Sequence, residues 1–254
     1  MKKVTAFIGT SAKRNTYLAV QEFEKNLKRH GDIDFEYVFL SNYHLEFCRS
    51  CLQCFLKGEE NCHSKDDRNK LIEKLQNSDG VIFATPNYAF QVSARLKNFI
   101  DRLAFIYHRP RFFGKAFTGI VTQGVYGGTS ILKYLNTTGE SLGFHVSNGA
   151  CVSTFDPMTR PQRKKLNQEM EKAAARFYRE LVRPTPSPSF FRLFVFRSTR
   201  TFMKSVDRKL RDYKYYKAKG WFESDYFYPT KLGPIKKLAG SLFDFLGRQM
   251  AKHQ

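Results

Sequence analysis

The stretch VIFATPNYAFQVSARLKNFIDRL, residues 81–103, contains a strand, a loop and a helix in one short run. The uninterrupted apolar run at 81–85 predicts a strand that is buried on both faces. Pro86 and Asn87 then turn the chain, and Ser93 opens a helix. The apolar residues of that helix recur at helical spacing and share one face: Leu96, Phe99, Ile100 and Leu103. The stretch therefore predicts one strand-loop-helix unit of a parallel sheet.

The same unit recurs on both sides of this stretch. Further strands are predicted at 3–9, 33–39, 117–123 and through 145–153. Helices are predicted after Asn15, over 66–77, near 128–142 and near 159–182. Five strands alternate with helices, and every connection is long enough for a crossover. The pattern predicts an α/β domain with a doubly wound parallel sheet.

In such a sheet, ligands bind beyond the carboxyl ends of the strands, so the loops after strands one, three and four matter most. The first loop, GTSAKRNT, combines hydroxyl side chains with Lys13 and Arg14 at the start of a helix, which suits a phosphate. Simple helix capping is the alternative. The next loop offers the flat rings of Tyr88 and Phe90 to a planar heteroaromatic ligand. The loop TQGVYGG allows close backbone approach or, alternatively, tight turns.

In order and spacing, GTSAKRNTY, CRSCLQCF, KDD, TPNYAFQVSARLKNFIDRL and TQGVYGG resemble the flavodoxin-like NAD(P)H-dependent FMN reductases, in particular their iron-sulfur flavoprotein branch. The resemblance covers residues 1–180 and implies a flavodoxin-like five-stranded sheet of order 2-1-3-4-5. It implies FMN bound by three loops. The implied cofactor-binding residues are Thr10, Ser11, Arg14, Asn15, Thr16, Pro86, Asn87, Tyr88, Phe90, Thr122, Gly124, Gly127 and Gly128. The family usually has a Ser-Pro-Arg run where this chain has Thr10, Ser11 and Ala12, which leaves open which basic residue meets the phosphate.

The resemblance also implies a reaction. NAD(P)H reduces the flavin, and the electrons pass to a small-molecule or protein acceptor, through a [4Fe-4S] cluster where one is present. The chemistry is centred on the flavin, so no general acid or base is assigned. The family implies a homodimer or higher homo-oligomer. The rival hypothesis is a non-enzymatic electron carrier or redox-sensing module that docks a partner or a membrane through its basic tail. A third hypothesis is a nucleic-acid-binding protein stabilised by zinc.

Four of the five cysteines fall in residues 47–64, the cysteine segment. In the iron-sulfur branch, three cysteines at CxxCxxC spacing and a fourth after a short gap bind a cluster. Cys48, Cys51, Cys54 and Cys62 fit this pattern, which is typical of cluster ligation. Zinc is one competitor, although zinc sites usually use two separated knuckles. Packing or thiol chemistry without a metal is another. Cys151, on a predicted strand, is predicted to be a core residue.

Composition sets the remaining expectations. The 254-residue chain carries a net charge of +20, of which +11 falls from Arg183 onward. The first apolar run breaks early and no run is long enough to span a membrane, so we expect a cytoplasmic protein. The predicted divisions are a flavodoxin-like FMN-binding domain at 1–182 with the cysteine segment at 47–64 as an insertion, a Pro/Ser linker at 183–189 and a basic amphipathic helical extension at 190–254. Three roles remain open for the extension, which are packing, peripheral membrane contact and nucleic-acid binding, and the last is disfavoured because no nucleic-acid module accompanies the charge.

Overall fold

The computed structural model describes residues 1–252, with side chains described up to Gln249. The chain divides into two compact units. The first contains Met1–Arg49 and Ser64–Pro184, and the second contains Ser50–His63 and the chain from Thr185 onward. The sequence analysis treated the cysteine segment as an insertion of the first domain, whereas most of that segment packs with the C-terminal extension.

A parallel sheet forms the centre of the first unit. Its strands are β1 (Lys2–Ile8), β2 (Ile33–Phe39), β3 (Gly80–Pro86), β4 (Ala116–Gln123), β5 (His145–Val146) and β6 (Ala150–Ser153). Their order is β2-β1-β3-β4-β5, and β6 also pairs with β4. The order and the parallel direction confirm the predicted flavodoxin-like sheet. Because β1 and β3 are neighbours while β2 lies beyond β1, the strand order reverses between β1 and β3.

The fifth predicted strand is divided into two pieces. β5 pairs with the start of β4 through Ala116 and His145, and β6 pairs with its end through Ile120 and Ala150. The register shifts by one residue between the pieces, so residues 147–149 form a local bulge. Gly149 lies in this interruption, where a Cβ atom would meet the Gly119 carbonyl oxygen at 1.9 Å. The single strand predicted through 145–153 is therefore wrong in its continuity but right in its position.

Ten helices are present in the described residues. They are α1 (Asn15–Leu27), α2 (Gln53–Leu56), α3 (Arg68–Gln76), α4 (Ala94–Arg102), α5 (Ala104–His108), α6 (Gly128–Leu142), α7 (Arg160–Val182), α8 (Phe190–Met203), α9 (Arg211–Ala218) and α10 (Pro234–Lys252).

The apolar faces predicted for the helices of the first unit are buried on both sides of its sheet. On one side α1 packs with α7, where the rings of Phe23 and Phe177 lie 5.6 Å apart. On the other side the ring of Phe99 in α4 stacks on Phe7 of β1 at 5.4 Å. A capping box between Thr159 and Gln162 starts α7. These layers hold the ends of β1, β3 and β4 in fixed positions relative to one another.

The second unit is helical and rich in aromatic residues. Ser189 caps α8, accepting a hydrogen bond from the Arg192 amide at 3.3 Å. α8 and α10 pack side by side, and Trp221 packs edge-on against Phe227 at 4.7 Å. Arg211 at the start of α9 pairs with Glu59 at 3.8 Å, which connects the cysteine segment to the extension. Among residues 1–252, no helix is long and apolar enough to cross a membrane.

Candidate functional site

An open cleft lies at the carboxyl ends of β1, β3 and β4, where the sheet topology predicts a ligand site. Its empty volume is about 680 Å³. The residues that line it come from four loops: Thr10, Ala12, Arg14, Asn15, Thr16, Pro86, Asn87, Tyr88, Thr122, Gln123, Gly124, Thr154 and Asp156. The cleft thus joins segments that are far apart in the sequence.

The N-terminus of α1 forms one end of this cleft. No side chain makes a capping hydrogen bond at its N-cap residue, Arg14. The first amides of a helix have no intrahelical acceptor, so they favour an anion. Arg14 lines the cleft, where its guanidinium lies 3.4 Å from the Asp156 carboxylate. Lys13 instead lies over the rings of Tyr17 and Phe39. Of the two basic residues of the loop, Arg14 is therefore the one at the cleft.

Buried hydroxyl groups connect the loops around the cleft. Thr16 of α1 and Thr122 of β4 share a hydrogen bond of 2.7 Å. Ser93, at the start of α4, accepts no hydrogen bond from its own helix through its side chain, and its hydroxyl donates to the Gly9 carbonyl at 2.7 Å. Its amide donates to the Thr85 hydroxyl at 2.9 Å. Because these bonds join β1, β3 and β4 through their end loops, they fix the shape of the site before any ligand binds.

A tight turn follows β3 and carries two exposed rings. Tyr88 and Gln91 exchange backbone hydrogen bonds, of 3.1 and 2.9 Å, across Ala89 and Phe90. Both central residues are left-handed, with φ of 48° and 61°. Neither is glycine, so the turn holds an unfavourable backbone conformation of the kind that concentrates at functional sites. The turn leaves the Tyr88 side chain 66% exposed at the cleft.

The loop after β4 closes the opposite wall. The Asn87 amide donates to the Thr122 carbonyl at 2.7 Å, and its side-chain amide donates to the Tyr126 carbonyl at 2.8 Å. Gly127 has φ of +94°, and a Cβ atom there would lie 2.6 Å from the Phe90 ring. Glycine is thus required at 127 both for the backbone conformation and for the space.

Nine of the thirteen predicted binding residues line the cleft: Thr10, Arg14, Asn15, Thr16, Pro86, Asn87, Tyr88, Thr122 and Gly124. The lining does not include Ser11, Phe90, Gly127 or Gly128. Phe90 packs on the Tyr126 ring at 5.3 Å, and Gly128 donates its amide to the Gln123 side chain at 2.6 Å, so both support the cleft from outside it. The binding roles of all thirteen residues stay predictions.

Sequence reasoning missed Ala12, Gln123, Thr154 and Asp156 as lining residues. Thr154 and Asp156 follow the fifth strand, and the loop after that strand was not considered. The Asn15 side chain donates to the Phe155 carbonyl at 3.0 Å, which draws this loop to the start of α1. The carboxyl ends of all parallel strands lie at one edge of the sheet. The rule that selected the first three loops therefore also predicts that the loop after the fifth strand lines the cleft.

Comparison with known proteins agrees with this fold and cleft. The family model described as NADPH-dependent FMN reductase matches residues 2–156, which include three of the loops and Asp156. The chain belongs to the NADPH-dependent FMN reductase family.

Relatives of this FMN reductase family chain include two proteins of Archaeoglobus fulgidus, each called an iron-sulfur flavoprotein. One is 28% identical over 204 residues, which cover 78% of this chain and 89% of the relative. The other is 33% identical over 127 residues, and the matched part spans 50% of this chain and 61% of that relative's length.

Solved structures share the fold at low sequence identity. RosB, solved with the bound intermediate 8-demethyl-8-formylriboflavin-5'-phosphate, has a TM-score of 0.60 at 13% identity, with 92% of each chain covered. An azoreductase from Bacillus anthracis has a TM-score of 0.53 at 14% identity, covering 69% of this chain and 98% of its own. At this identity the likeness shows the fold alone.

A buried ion pair holds the base of the cysteine segment in this FMN reductase family chain. Arg102 of α4 contacts both carboxylate oxygens of Asp66, at 2.5 and 3.1 Å, and their side chains are 2% and 1% exposed. Asp66 also accepts from the Glu46 amide at 2.9 Å, while Asp67 accepts from the His44 amide at 2.8 Å. Residues 44–46 and 66–67 are thus joined where the segment leaves and re-enters the first unit.

The Asp66 carboxylate is ionised by this arrangement. Burial acts against the charged form, but hydrogen bonds from Arg102 and from the amides of Glu46 and Arg68 outweigh it and hold the pKa of Asp66 below its usual range. From the sequence, Asp66 is only the first residue of the helix predicted over 66–77. Its buried partner could not be read from the local pattern.

The four cysteines of the segment differ in exposure and in the unit to which they belong. Cys48 and Cys51 are exposed, and Cys54 and Cys62 are partly buried. Cys48 belongs to the first unit and the other three to the second. Within residues 1–252, no three His, Cys, Asp or Glu side chains form a group that could hold a metal ion. Four thiolates are the right donors for a cluster, and cluster ligation stays a prediction.

The fifth cysteine lies beside the cleft wall. Cys151 of β6 is partly buried, and its sulfur lies 2.4 Å from the position of a Cβ atom on Gly128. Burial raises the pKa of the Cys151 thiol, which keeps it protonated and poorly reactive. Its contacts agree with the packing role predicted for it.

Proposed function

We propose that this protein is an FMN-dependent oxidoreductase that passes electrons from NAD(P)H through FMN to a small-molecule or protein acceptor. The observation that carries the proposal is the two-ended cleft. One end has an uncapped helix N-terminus with hydroxyl groups and Arg14, and the other has a tyrosine ring beside backbone that turns sharply. A phosphate and a planar ring at the two ends of one ligand match these features.

The phosphate of FMN would lie at the start of α1. Thr10, Asn15 and Thr16 would contribute side-chain donors, and the first amides of the helix would contribute backbone donors. Arg14 would neutralise charge, which requires its guanidinium to exchange the Asp156 carboxylate for the phosphate. That pair is exposed and weak, so breaking it costs little free energy.

The flavin ring would lie between the loops after β3 and β4. Pro86, Asn87 and Tyr88 would face one part of the ring and Gly124 another. The hydrogen bonds from Asn87 to Thr122 and Tyr126 hold both loops at a fixed separation, which orients a ring bound between them. Tyr88 is exposed enough to contact an incoming donor or acceptor as well.

Bound FMN would accept a hydride from NAD(P)H and release electrons singly or in pairs. The contribution of the protein is binding and orientation, and none of the residues that line the cleft is assigned as a general acid or base.

Paired variants of the first loop test the cofactor assignment. Arg14→Ala removes the only lysine or arginine side chain among the described lining residues, so we expect FMN affinity to fall about tenfold. Lys13→Ala is the matched control, because Lys13 lies over Tyr17 and Phe39, and it should leave affinity nearly unchanged. Fluorescence titration of the apoprotein with FMN measures both. Equal losses in the two variants, or no FMN binding by the parent protein, would contradict the assignment.

A flavodoxin-like electron carrier is the second candidate. The observation that favours it is the charge of +11 from Arg183 onward, which suits docking to an acidic partner. The two candidates differ in one measurement, the oxidation of NADH or NADPH by the purified FMN-loaded protein. Sustained oxidation with a quinone or nitro compound as acceptor supports the reductase. Reduction only after a separate reductase is added supports the carrier.

A cluster is the finer part of the proposal, and its support is the four-cysteine spacing and the names of the relatives. We expect protein purified without oxygen to contain about four iron and four sulfide per chain if the segment closes around a cubane. FMN without iron would leave the reductase proposal intact and limit the cysteines to packing or thiol chemistry. Zinc without flavin would contradict the proposal as a whole.

A further inference from the structure

The outer face of α10 carries a row of large apolar side chains. Ile235, Leu238, Leu242, Phe245 and Leu246 form this row, here called the apolar stripe. All five are exposed, with Leu238 76% and Leu242 55% exposed. Their spacing of three and four residues places them on one side of the helix. The sequence predicted an amphipathic helical extension at 190–254 and left its role open.

The opposite face of α10 is the one that packs. Gly240 and Gly247 let α8 approach closely, since Cβ atoms there would lie 3.2 Å from the Arg197 guanidinium and 3.0 Å from Thr201. Phe243 meets Phe194 edge-on at 5.2 Å. The apolar stripe is therefore not the face through which α10 packs against α8. α10 contacts α8 through the face that carries Gly240, Phe243 and Gly247, opposite the stripe.

The charges of α10 are segregated in the same way. Its one acidic residue, Asp244, is turned inward to Arg197 at 2.9 Å and Arg200 at 2.5 Å. Lys237 and Arg248 are exposed at the edge of the stripe. The outward side of the helix thus combines apolar side chains and positive charge without any negative charge.

This combination favours one kind of occupant. A helix with Leu and Phe on one side and Lys or Arg at its edges lies in the interface of a bilayer that contains anionic lipid. A second copy of the chain is less suited, because it would bring the same positive edges together and each chain already carries +20. No described helix can span a membrane, so the contact would be peripheral.

We propose that the apolar stripe of α10 docks the protein on an anionic membrane surface, with the stripe in the lipid headgroup region and Lys237 and Arg248 at the phosphates. This inference is independent of the flavin chemistry. It predicts binding to vesicles by the apoprotein and the FMN-loaded protein alike.

Flotation of the full-length protein with vesicles tests the proposal. The vesicles are phosphatidylcholine alone, or phosphatidylcholine with about one third phosphatidylglycerol. We expect binding to the anionic vesicles only. The variant Leu238→Ser/Leu242→Ser should lower the partition coefficient by at least about tenfold, because two exposed leucines no longer enter the lipid. Lys237→Gln/Arg248→Gln should lower it by roughly twenty-fivefold, at about fivefold for each lost cation.

Val182→Ser is the matched control. Val182 is an exposed apolar residue at the end of α7, outside the stripe, and its replacement should leave vesicle binding unchanged. Circular dichroism of each variant shows whether the helices are retained, which is expected because both leucines are mostly exposed. Equal binding of the parent and of Leu238→Ser/Leu242→Ser would overturn the proposal. So would equal binding to neutral vesicles, or a chain dimer that is lost in this variant while no vesicle is bound.

Discussion

The cleft and the cysteine segment both have short sequence signatures, but the fold constrains them differently. The residues of the cleft follow parallel strands, and the hydrogen bonds of Thr16, Asn87 and Ser93 fix the loops to one another. The cysteines instead lie on a stretch whose base is fixed by Asp66 and Arg102 and whose middle is attached through the pair of Glu59 with Arg211. Ser50 and Leu52 inside it have left-handed backbone. Sheet topology positions a site at strand ends, whereas a loop holds its ligands only through its own contacts.

The largest expected effect is at the base of the segment. Asp66→Asn leaves Arg102 buried beside a neutral partner, so we expect the free energy of unfolding to fall by about 3 kcal/mol. Urea denaturation measures it. The control is Asp101→Asn, which breaks an exposed pair with Lys97 at 2.6 Å and should cost about 0.5 kcal/mol or less. Similar losses in the two variants would show that the Asp66 pair is not a structural anchor.

The same pair predicts a pH dependence. Since the folded-state pKa of Asp66 is lowered, the pair stabilises the fold fully above about pH 4, the usual carboxyl range. That stabilisation is lost as the pH falls through the lowered pKa. Asp66→Asn should therefore be less sensitive than the parent to acid below about pH 4 in urea midpoints measured across the pH range. Parallel acid profiles of the two proteins would contradict this.

Gly127→Ala tests the rigid wall of the cleft. The substitution forces a left-handed alanine and a contact with the Phe90 ring, so we expect FMN affinity to fall about tenfold, the equivalent of roughly 1.4 kcal/mol. The comparison is Gly220→Ala, which has φ of +67° but an open surrounding and lies outside the cleft. It should lower stability without changing FMN affinity. A Gly127→Ala protein that binds FMN normally would mean that the wall adjusts.

Asp156→Asn should have a smaller effect of opposite sign. The carboxylate lies at the cleft and pairs with Arg14, so its removal frees the guanidinium and lessens repulsion of a phosphate. We expect FMN affinity to rise about threefold at low salt, with the gain screened at high salt. Isothermal titration at two ionic strengths measures the change, and a loss of affinity would place the phosphate away from Arg14.

The smallest expected effect separates the two regions. Replacing Cys48, Cys51, Cys54 and Cys62 together by serine should leave FMN affinity unchanged, because none of them lines the cleft. Any iron in the parent protein should be lost. A fall in FMN affinity as large as that of Gly127→Ala would show that the two regions are coupled.

The sequence predicted the features that depend on local pattern and on sheet topology. The apolar runs at 3–9 and 81–85 correspond to β1 and β3, and the strand order followed from the resemblance. The interruption of the fifth strand was missed because it depends on a contact between Gly149 and Gly119, thirty residues away in sequence. The Asp66–Arg102 pair was missed for the same reason.

The spacing in α10 predicted a helical face but could not say whether it is covered. The stripe and the packing face both contain apolar residues, and only the position of α8 distinguishes them. Likewise the CxxCxxC spacing predicts the donor atoms of a cluster and leaves the path of the backbone between them undetermined.

The interrupted fifth strand also bears on how these molecules avoid aggregation. The outer edge of the sheet consists of two pieces, of two and four residues, separated by a one-residue shift of register. A continuous edge would offer a row of backbone donors and acceptors to a strand of another molecule. The interruption breaks that row in the middle. It therefore disfavours edge-to-edge association on this side of the sheet.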